Sequence, residues 1–111
     1  MNASERRFTD FSDVSYAEAV QRANALVPAL RERAAHCDTA GELLAENAAD
    51  LTRTGLVRIV QPKRWGGMGL HYTAAVEFPD ILARGCMSTA WVLANLSIHH
   101  WMLALYDERA Q

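Results

Sequence analysis

The sequence predicts an all-α domain of about four main helices with one extended, glycine-rich loop. Apolar residues recur at steps of three and four over long stretches, as they do on the buried face of a helix. Glycine follows two of these stretches, at Gly55 and Gly85, where a helix commonly ends. A single short segment, residues 56–62, has the branched apolar composition of an extended chain.

Composition and charge limit the class of protein. The chain has 111 residues, half of them apolar, which fits one domain with a small core. Eleven Lys and Arg residues oppose thirteen Asp and Glu residues without forming a basic run, so we expect neither nucleic acid nor a membrane as a partner. The sequence has no uninterrupted apolar run of about 18 residues, so a membrane span is not expected. Two cysteines after a polar N-terminus indicate reduced thiols in a cytoplasmic protein.

Periodicity first appears after a polar N-terminal segment. Residues 1–15 are aperiodic, and we expect a flexible tail there. Residues 16–36 are expected to form the first helix, in which Pro28 either introduces a kink or marks the start of a new helix. The predicted inner face of this helix consists of Val20, Ala23, Val27, Leu30 and Ala34.

A second helix and the glycine-rich loop follow a short connector. The second helix is expected over residues 45–54, with Ala48 and Leu51 turned inward. Residues 56–62 are predicted to be extended. In residues 63–70, three glycines within four positions predict a tight turn in which the backbone passes close to another element.

The third helix is expected over residues 72–84 and ends at Gly85. Its inner face consists of Ala75, Phe78 and Leu82. Pro79 lies in its middle, where a proline costs about 3 kcal/mol unless the helix bends. Nothing in the sequence accounts for this proline.

The fourth helix carries the candidate site. It is expected from Ser88, the predicted N-cap, to about Leu105. With about 100° of rotation per residue, one narrow stripe holds Ser88, Trp91, Asn95, His99 and Met102. The other directions are apolar, so the helix needs cover on most sides. We therefore expect the isolated chain to associate through residues 88–105.

Two interpretations of the stripe remain open at this point. Trp91 and His99 are separated by about 12 Å along the helix axis, the length of a flat ligand of three fused rings. They could equally be core residues with satisfied hydrogen bonds. A metal site is not expected, because adjacent His99 and His100 point about 100° apart and no CxxC pair occurs. Cys86 and Ser88 lie near histidines, but no nucleophile elbow surrounds them.

Two longer stretches resemble a known family. They are "LVPALRERAAHCDTAGELLAENAADLTRTGLVRIVQPKRWGGMGL" and "ILARGCMSTAWVLANLSIHHWMLALY". Together they are similar to the N-terminal helical domain of the acyl-CoA dehydrogenase superfamily over residues 16–111. Within it, "GCMSTAWVLANLSIHHWML" is closer to the oxygenase components of flavin-dependent phenol monooxygenases, of the 4-hydroxyphenylacetate and steroid hydroxylase type.

The resemblance implies a role for each end of the stripe. The tryptophan matching Trp91 lies against the flavin, FMN or FAD, and the histidine matching His99 binds the substrate hydroxyl. Ser88, Asn95 and Met102 are candidates for the substrate pocket. A separate reductase would supply reduced flavin to a homo-oligomeric enzyme, and the substrate would be a small aromatic compound.

The resemblance also implies missing parts. Members of this family have a middle β domain and a C-terminal helical domain, which hold most of the flavin contacts. This chain ends at Gln111, so we expect it to be incomplete and inactive alone. Two alternatives stay open: part of an acyl-CoA dehydrogenase, and a non-catalytic helical interaction module.

Overall fold

A computed structural model describes residues 9–111, and the all-α prediction is confirmed for this part of the chain. The four main helices are α1 (Tyr16–Ala40), α2 (Ala45–Thr54), α3 (Ala74–Ala83) and α4 (Met87–Ala104). Single 3₁₀ turns lie at Leu56–Arg58, Lys63–Trp65 and Glu108–Ala110. None of the described helices is long and apolar enough to cross a membrane.

Helix α1 has defined caps at both ends. The Ser15 hydroxyl accepts a hydrogen bond from the backbone N–H of Glu18, which closes the first turn. The helix then runs through Pro28, which starts no new helix, and ends at Gly41 in the left-handed conformation. It is therefore longer than predicted, and Cys37 belongs to the helix rather than to a connector.

The buried face of α1 lies slightly to one side of the predicted one. Ala23 and Leu30 are buried as expected, whereas Val20, Val27 and Ala34 lie at the edge of the core and are partly buried. The fully or largely buried positions of α1 are Ala19, Ala23, Leu26, Leu30 and Cys37. This face packs against α3, whose Phe78 and Leu82 are fully buried.

The predicted flexible tail is wrong for residues 9–15, while residues 1–8 lie outside the described part of the chain. Phe11 is only 6% exposed, and its backbone N–H donates to the carbonyl of Gly66 at 2.8 Å. A side chain at Gly55 would collide with the Phe11 ring, and the Arg58 guanidinium lies over that ring at 5.4 Å. One aromatic side chain therefore fixes this segment to the loop after α2.

The predicted extended segment at residues 56–62 is also wrong, because this segment turns instead. Leu56, Ile59 and Val60 are all buried, and their spacing matches one helical turn rather than strand alternation. The segment after it folds back onto it, with the N–H of Met68 bonded to the carbonyl of Arg58.

The glycine turn brings backbone close to backbone, as predicted. A Cβ added at Gly67 would lie 2.3 Å from the carbonyl oxygen of Gln61, so only glycine fits there. Gly85 has a similar role after α3, since a Cβ there would lie 2.7 Å from the carbonyl oxygen of Val27. This close approach seats the α3–α4 turn on α1. Pro79 remains inside α3, and nothing in the structure explains it.

Candidate functional site

Helix α4 begins earlier than predicted. Its N-cap is Cys86, in an extended conformation, and Ser88 lies within the first turn, so the prediction of Ser88 as N-cap is wrong. The chain turns here because Gly85 and Cys86 both donate backbone hydrogen bonds to the carbonyl of Leu82, which ends α3. The Cys86 carbonyl then accepts the first helical bond, from Ala90.

One side of α4 is buried and the stripe is on the other side. Thr89, Ala90, Leu93 and Ser97 form the buried side. The five residues of the stripe are all exposed: Ser88, Trp91, Asn95, His99 and Met102. Trp91 is 70% exposed, so its indole is not part of the core of residues 9–111. The core interpretation of Trp91 and His99 is therefore disfavoured, while their functional roles stay predictions.

Hydrogen bonds along the helix orient the polar members of the stripe. The Asn95 side-chain amide donates to the carbonyl of Trp91 at 2.9 Å. The His99 Nδ1 atom lies 2.5 Å from the carbonyl oxygen of Asn95. Because a carbonyl only accepts, Nδ1 of His99 carries the proton, and in the neutral ring Nε2 keeps a free lone pair. His99 therefore presents a hydrogen-bond acceptor suited to a hydroxyl group.

A cavity of about 430 Å³ lies beside Trp91, between the end of α1 and the beginning of α4. Its lining includes Cys37, Asp38, Glu42, Ser88 and Trp91. Within residues 9–111 no Lys or Arg lines it, so this part of the chain suits a neutral ring better than a phosphate. Asn95, His99 and Met102 lie beyond this cavity, further along the helix.

The exposed part of α4 is strongly apolar. Large exposed side chains on it and just after it are Leu96, Ile98, Trp101, Met102, Leu103 and Leu105. The Tyr72 and Trp101 rings lie against each other, with centroids 4.9 Å apart. An apolar surface of this extent on a small domain is typical of an interface.

His100 lines a second cavity, of about 600 Å³, whose other lining residues include Phe11, Arg58 and Trp65. Burial lowers the pKa of His100, and its Nδ1 atom has no hydrogen-bond partner among residues 9–111. Arg58 is already engaged by the backbone carbonyls of Thr9 and Trp65, each at 2.6 Å. From the sequence, His100 was weighed only as a metal ligand. Among residues 9–111 no group of three or more His, Cys, Asp or Glu side chains could hold a metal.

A buried polar cluster beneath the first turn of α4 was not predicted. Asn47 is completely buried and donates to the Thr89 hydroxyl at 3.0 Å, while Arg33 donates to Asn47 at 2.8 Å. The inward-facing residue of α2 at this level is Asn47 and not the predicted Ala48, which is only partly buried. The spacing of Asn47, Leu51 and Thr54 by four and three residues is the signal that could have revealed this face.

The match to known proteins agrees with this architecture. The protein-family model described as the acyl-CoA dehydrogenase N-terminal domain matches residues 16–111. The chain belongs to this family.

Several relatives of the chain are named as oxygenase subunits or components. It is 36% identical to the oxygenase subunit HsaA of a flavin-dependent monooxygenase from Rhodococcus jostii, over 83% of this chain and 24% of that protein. It is 35% identical to the oxygenase component of an FADH₂-dependent resorcinol hydroxylase from a Rhizobium species, over 83% of this chain and 22% of that protein. The chain thus spans about a quarter of the length of these relatives.

A solved structure supports the same relationship. The crystal structure of 3-HSA hydroxylase from Rhodococcus sp. RHA1 matches with a TM-score of 0.72 and 35% sequence identity. The match covers 85% of this chain and 24% of that one.

Proposed function

We propose that this chain forms the helical wall of the active site in the oxygenase component of a two-component, flavin-dependent aromatic hydroxylase. The single observation that carries the proposal is the outward stripe of α4, with Trp91 at one end and the His99 acceptor at the other. Relatives named as flavin-dependent monooxygenase and resorcinol hydroxylase components supply the reaction class. They favour hydroxylation over acyl-CoA dehydrogenation and over a non-catalytic module.

The groups present fit the ring of a flavin, FMN or FAD, but not its phosphate. Trp91 offers an exposed aromatic face beside a cavity whose lining, in the described part of the chain, includes Asp38 and Glu42 but no Lys or Arg. A ring can stack on the indole, whereas a phosphate would be repelled by these carboxylates. Residues outside this chain would therefore hold the phosphate. When bound, reduced flavin supplies the electrons that activate O₂.

The chain's own residues would bind and orient the substrate. The Nε2 atom of His99 would accept the hydrogen of a phenolic hydroxyl, which fixes the position of the aromatic ring. The imidazole of His99 donates a hydrogen bond from Nδ1 to the backbone carbonyl of Asn95. This bond fixes the position of the acceptor atom Nε2 before the substrate binds. Met102 and the exposed leucines of α4 would help to exclude water once covered. Ser88 would contact ligand at the Trp91 end.

The proposal includes partners and a location. The apolar face of α4, residues 88–105, would be covered by the domains that the relatives carry beyond this segment. A flavin reductase would deliver reduced flavin to a homo-oligomeric, cytoplasmic enzyme with a small aromatic substrate.

A chimera tests the reaction class. The 111-residue chain would replace the corresponding first quarter of the Rhodococcus jostii oxygenase subunit, and the product would be purified and mixed with a flavin reductase. We expect hydroxylation of a phenol that depends on the reductase and on O₂. A folded chimera that binds reduced flavin but hydroxylates no phenol would contradict the proposal and favour the two alternatives, part of an acyl-CoA dehydrogenase or a non-catalytic module.

A further inference from the structure

A buried chain of hydrogen bonds connects α1 and α2 to the first turn of α4. Arg33 of α1 donates from one nitrogen to Asn47 Oδ1 at 2.8 Å and to the Asp50 carboxylate at 2.9 Å. The Asn47 amide nitrogen donates to the Thr89 hydroxyl at 3.0 Å, and that hydroxyl donates to the Cys86 sulfur at 3.2 Å. Asn47 and Thr89 are both 0% exposed, so no solvent competes for the bond between them.

The direction of each bond in this chain is fixed from Arg33 outward. A guanidinium can only donate, so it holds the oxygen of the Asn47 amide toward α1. The amide nitrogen therefore points to α4, where the Thr89 hydroxyl accepts its hydrogen. A flipped Asn47 amide would place two donors against each other at Arg33. The chain of bonds thus permits one arrangement of these side chains.

These bonds restrict the rotation of α4 in a way that its apolar contacts do not. The beginning of α4 is seated by small residues, with Ala90 buried and Gly85 in close contact with the backbone of α1. Apolar burial has no preferred direction, whereas a hydrogen bond weakens steeply when donor and acceptor leave their line. The bond from Asn47 to Thr89 therefore limits how far the first turn can rotate about the helix axis.

The rotation of the first turn decides where Trp91 points. Two residues along a helix correspond to about 200° of rotation, so a Thr89 side chain held inward turns the Trp91 indole outward. Trp91 is 70% exposed, so few side chains within residues 9–111 constrain the indole directly. At about 6 Å from the helix axis, a rotation of about 10° would move the indole by about 1 Å. Stacking depends on ring distance and offset, so such a shift would weaken it.

We propose that Asn47 and Thr89 are positioning residues: held by Arg33, they set the rotation of the first turn of α4 and so direct the Trp91 indole toward the ligand of the cavity beside it. Both residues are completely buried and neither lines that cavity, so their effect on a ligand passes through α4. The identity of the ligand as a flavin rests on the proposed function, whereas the control of helix rotation does not.

A double variant, Asn47→Leu with Thr89→Val, removes these bonds and replaces both buried partners with apolar groups of similar size. Arg33 keeps its bond to the Asp50 carboxylate. Because neither partner is left unpaired, the Tm should stay within about 5 °C of that of the unmodified chain. Thr54→Val is the matched control: Thr54 is also buried on α2, but its hydroxyl donates only to carbonyls of its own helix.

The first measurement uses the 111-residue chain and needs no ligand. Residual dipolar couplings of Cα–Hα bonds report rotation about a helix axis, because these bonds point away from the axis, and the coupling of the Trp91 indole N–H reports the ring. We expect the double variant to change or average these couplings at residues 88–91, with the couplings of α1 unchanged as an internal reference. Thr54→Val should match the unmodified chain throughout. Unchanged couplings at residues 88–91 in the double variant would overturn the inference.

The second measurement places the same variants in the chimera with the Rhodococcus jostii subunit. We expect the double variant to raise the KM for reduced flavin by up to about tenfold, with a smaller change in kcat, because stacking on the indole is weakened. Thr54→Val should leave both constants unchanged. An altered helix rotation with an unaltered KM would overturn the positioning role. If the unmodified chimera hydroxylates nothing, the proposed function fails, and the dipolar couplings still decide whether these residues set the rotation of α4.

Discussion

The orientation of α4 can be tested with two leucines three residues apart. Leu93 is 0% exposed on the buried side of the helix, whereas Leu96 is 40% exposed. Leu93→Ala removes buried methyl groups and leaves a cavity, which should lower the free energy of unfolding by about 3 kcal/mol. Leu96→Ala leaves no closed cavity and removes only part of a transfer free energy, so the loss should be about 1 kcal/mol or less.

These costs predict clearly different melting temperatures. At about 4–8 °C per kcal/mol for a domain of this size, Leu93→Ala should lower the Tm by about 15 °C and Leu96→Ala by about 5 °C. Urea unfolding followed by far-UV circular dichroism gives the free energies, at protein concentrations where size-exclusion chromatography shows one species. Trp91→Ala serves as a second exposed control and should be nearly neutral. Equal losses for the two leucine variants, or a larger loss for Leu96→Ala, would refute the assigned orientation of the helix.

Three further predictions concern the buried cluster, pH and the glycine turn. Asn47→Ala should cost about 2 kcal/mol in urea unfolding, because Thr89 loses its buried donor; a loss near zero would contradict that bond. The folded pKa of His100 lies below its ordinary value of 6.5, so the unfolded chain binds the proton first as the pH falls. Stability should therefore be complete above about pH 7 and decline as the pH drops through 6.5, and His100→Gln should flatten this part of a Tm-against-pH curve. Gly67→Ala should cost more than about 2 kcal/mol, whereas Gly41→Ala, with open space around it, should cost about 1 kcal/mol from its left-handed backbone alone.

The helices were predictable where local signals agree. The second helix, α2, has the predicted bounds because Gly55 ends it in the left-handed conformation. The loop at residues 56–62 was misjudged because branched residues suggested an extended chain, while the burial of Leu56 and Ile59 follows a helical turn. Burial of Phe11 was not visible from the sequence, since its contacts come from residues more than 40 positions away.

Part of the candidate site could also be predicted from signals within a single helix. Rotation about a single helix places Trp91 and His99 on one flank, and that needs no tertiary information. The Asn47–Thr89–Cys86 cluster joins two helices, so periodicity within one helix could not reveal it. The shift of the N-cap from Ser88 to Cys86 likewise depends on how α3 ends.

In the proposed enzyme, α4 turns His99, and not its neighbour His100, toward the substrate. The most direct measurement compares kcat/KM for phenol hydroxylation by His99→Ala and His100→Ala in the chimera, with folding checked by circular dichroism. We predict a loss of about a hundredfold for His99→Ala and a much smaller one for His100→Ala. An unchanged kcat/KM for His99→Ala, or the larger loss in His100→Ala, would contradict the account.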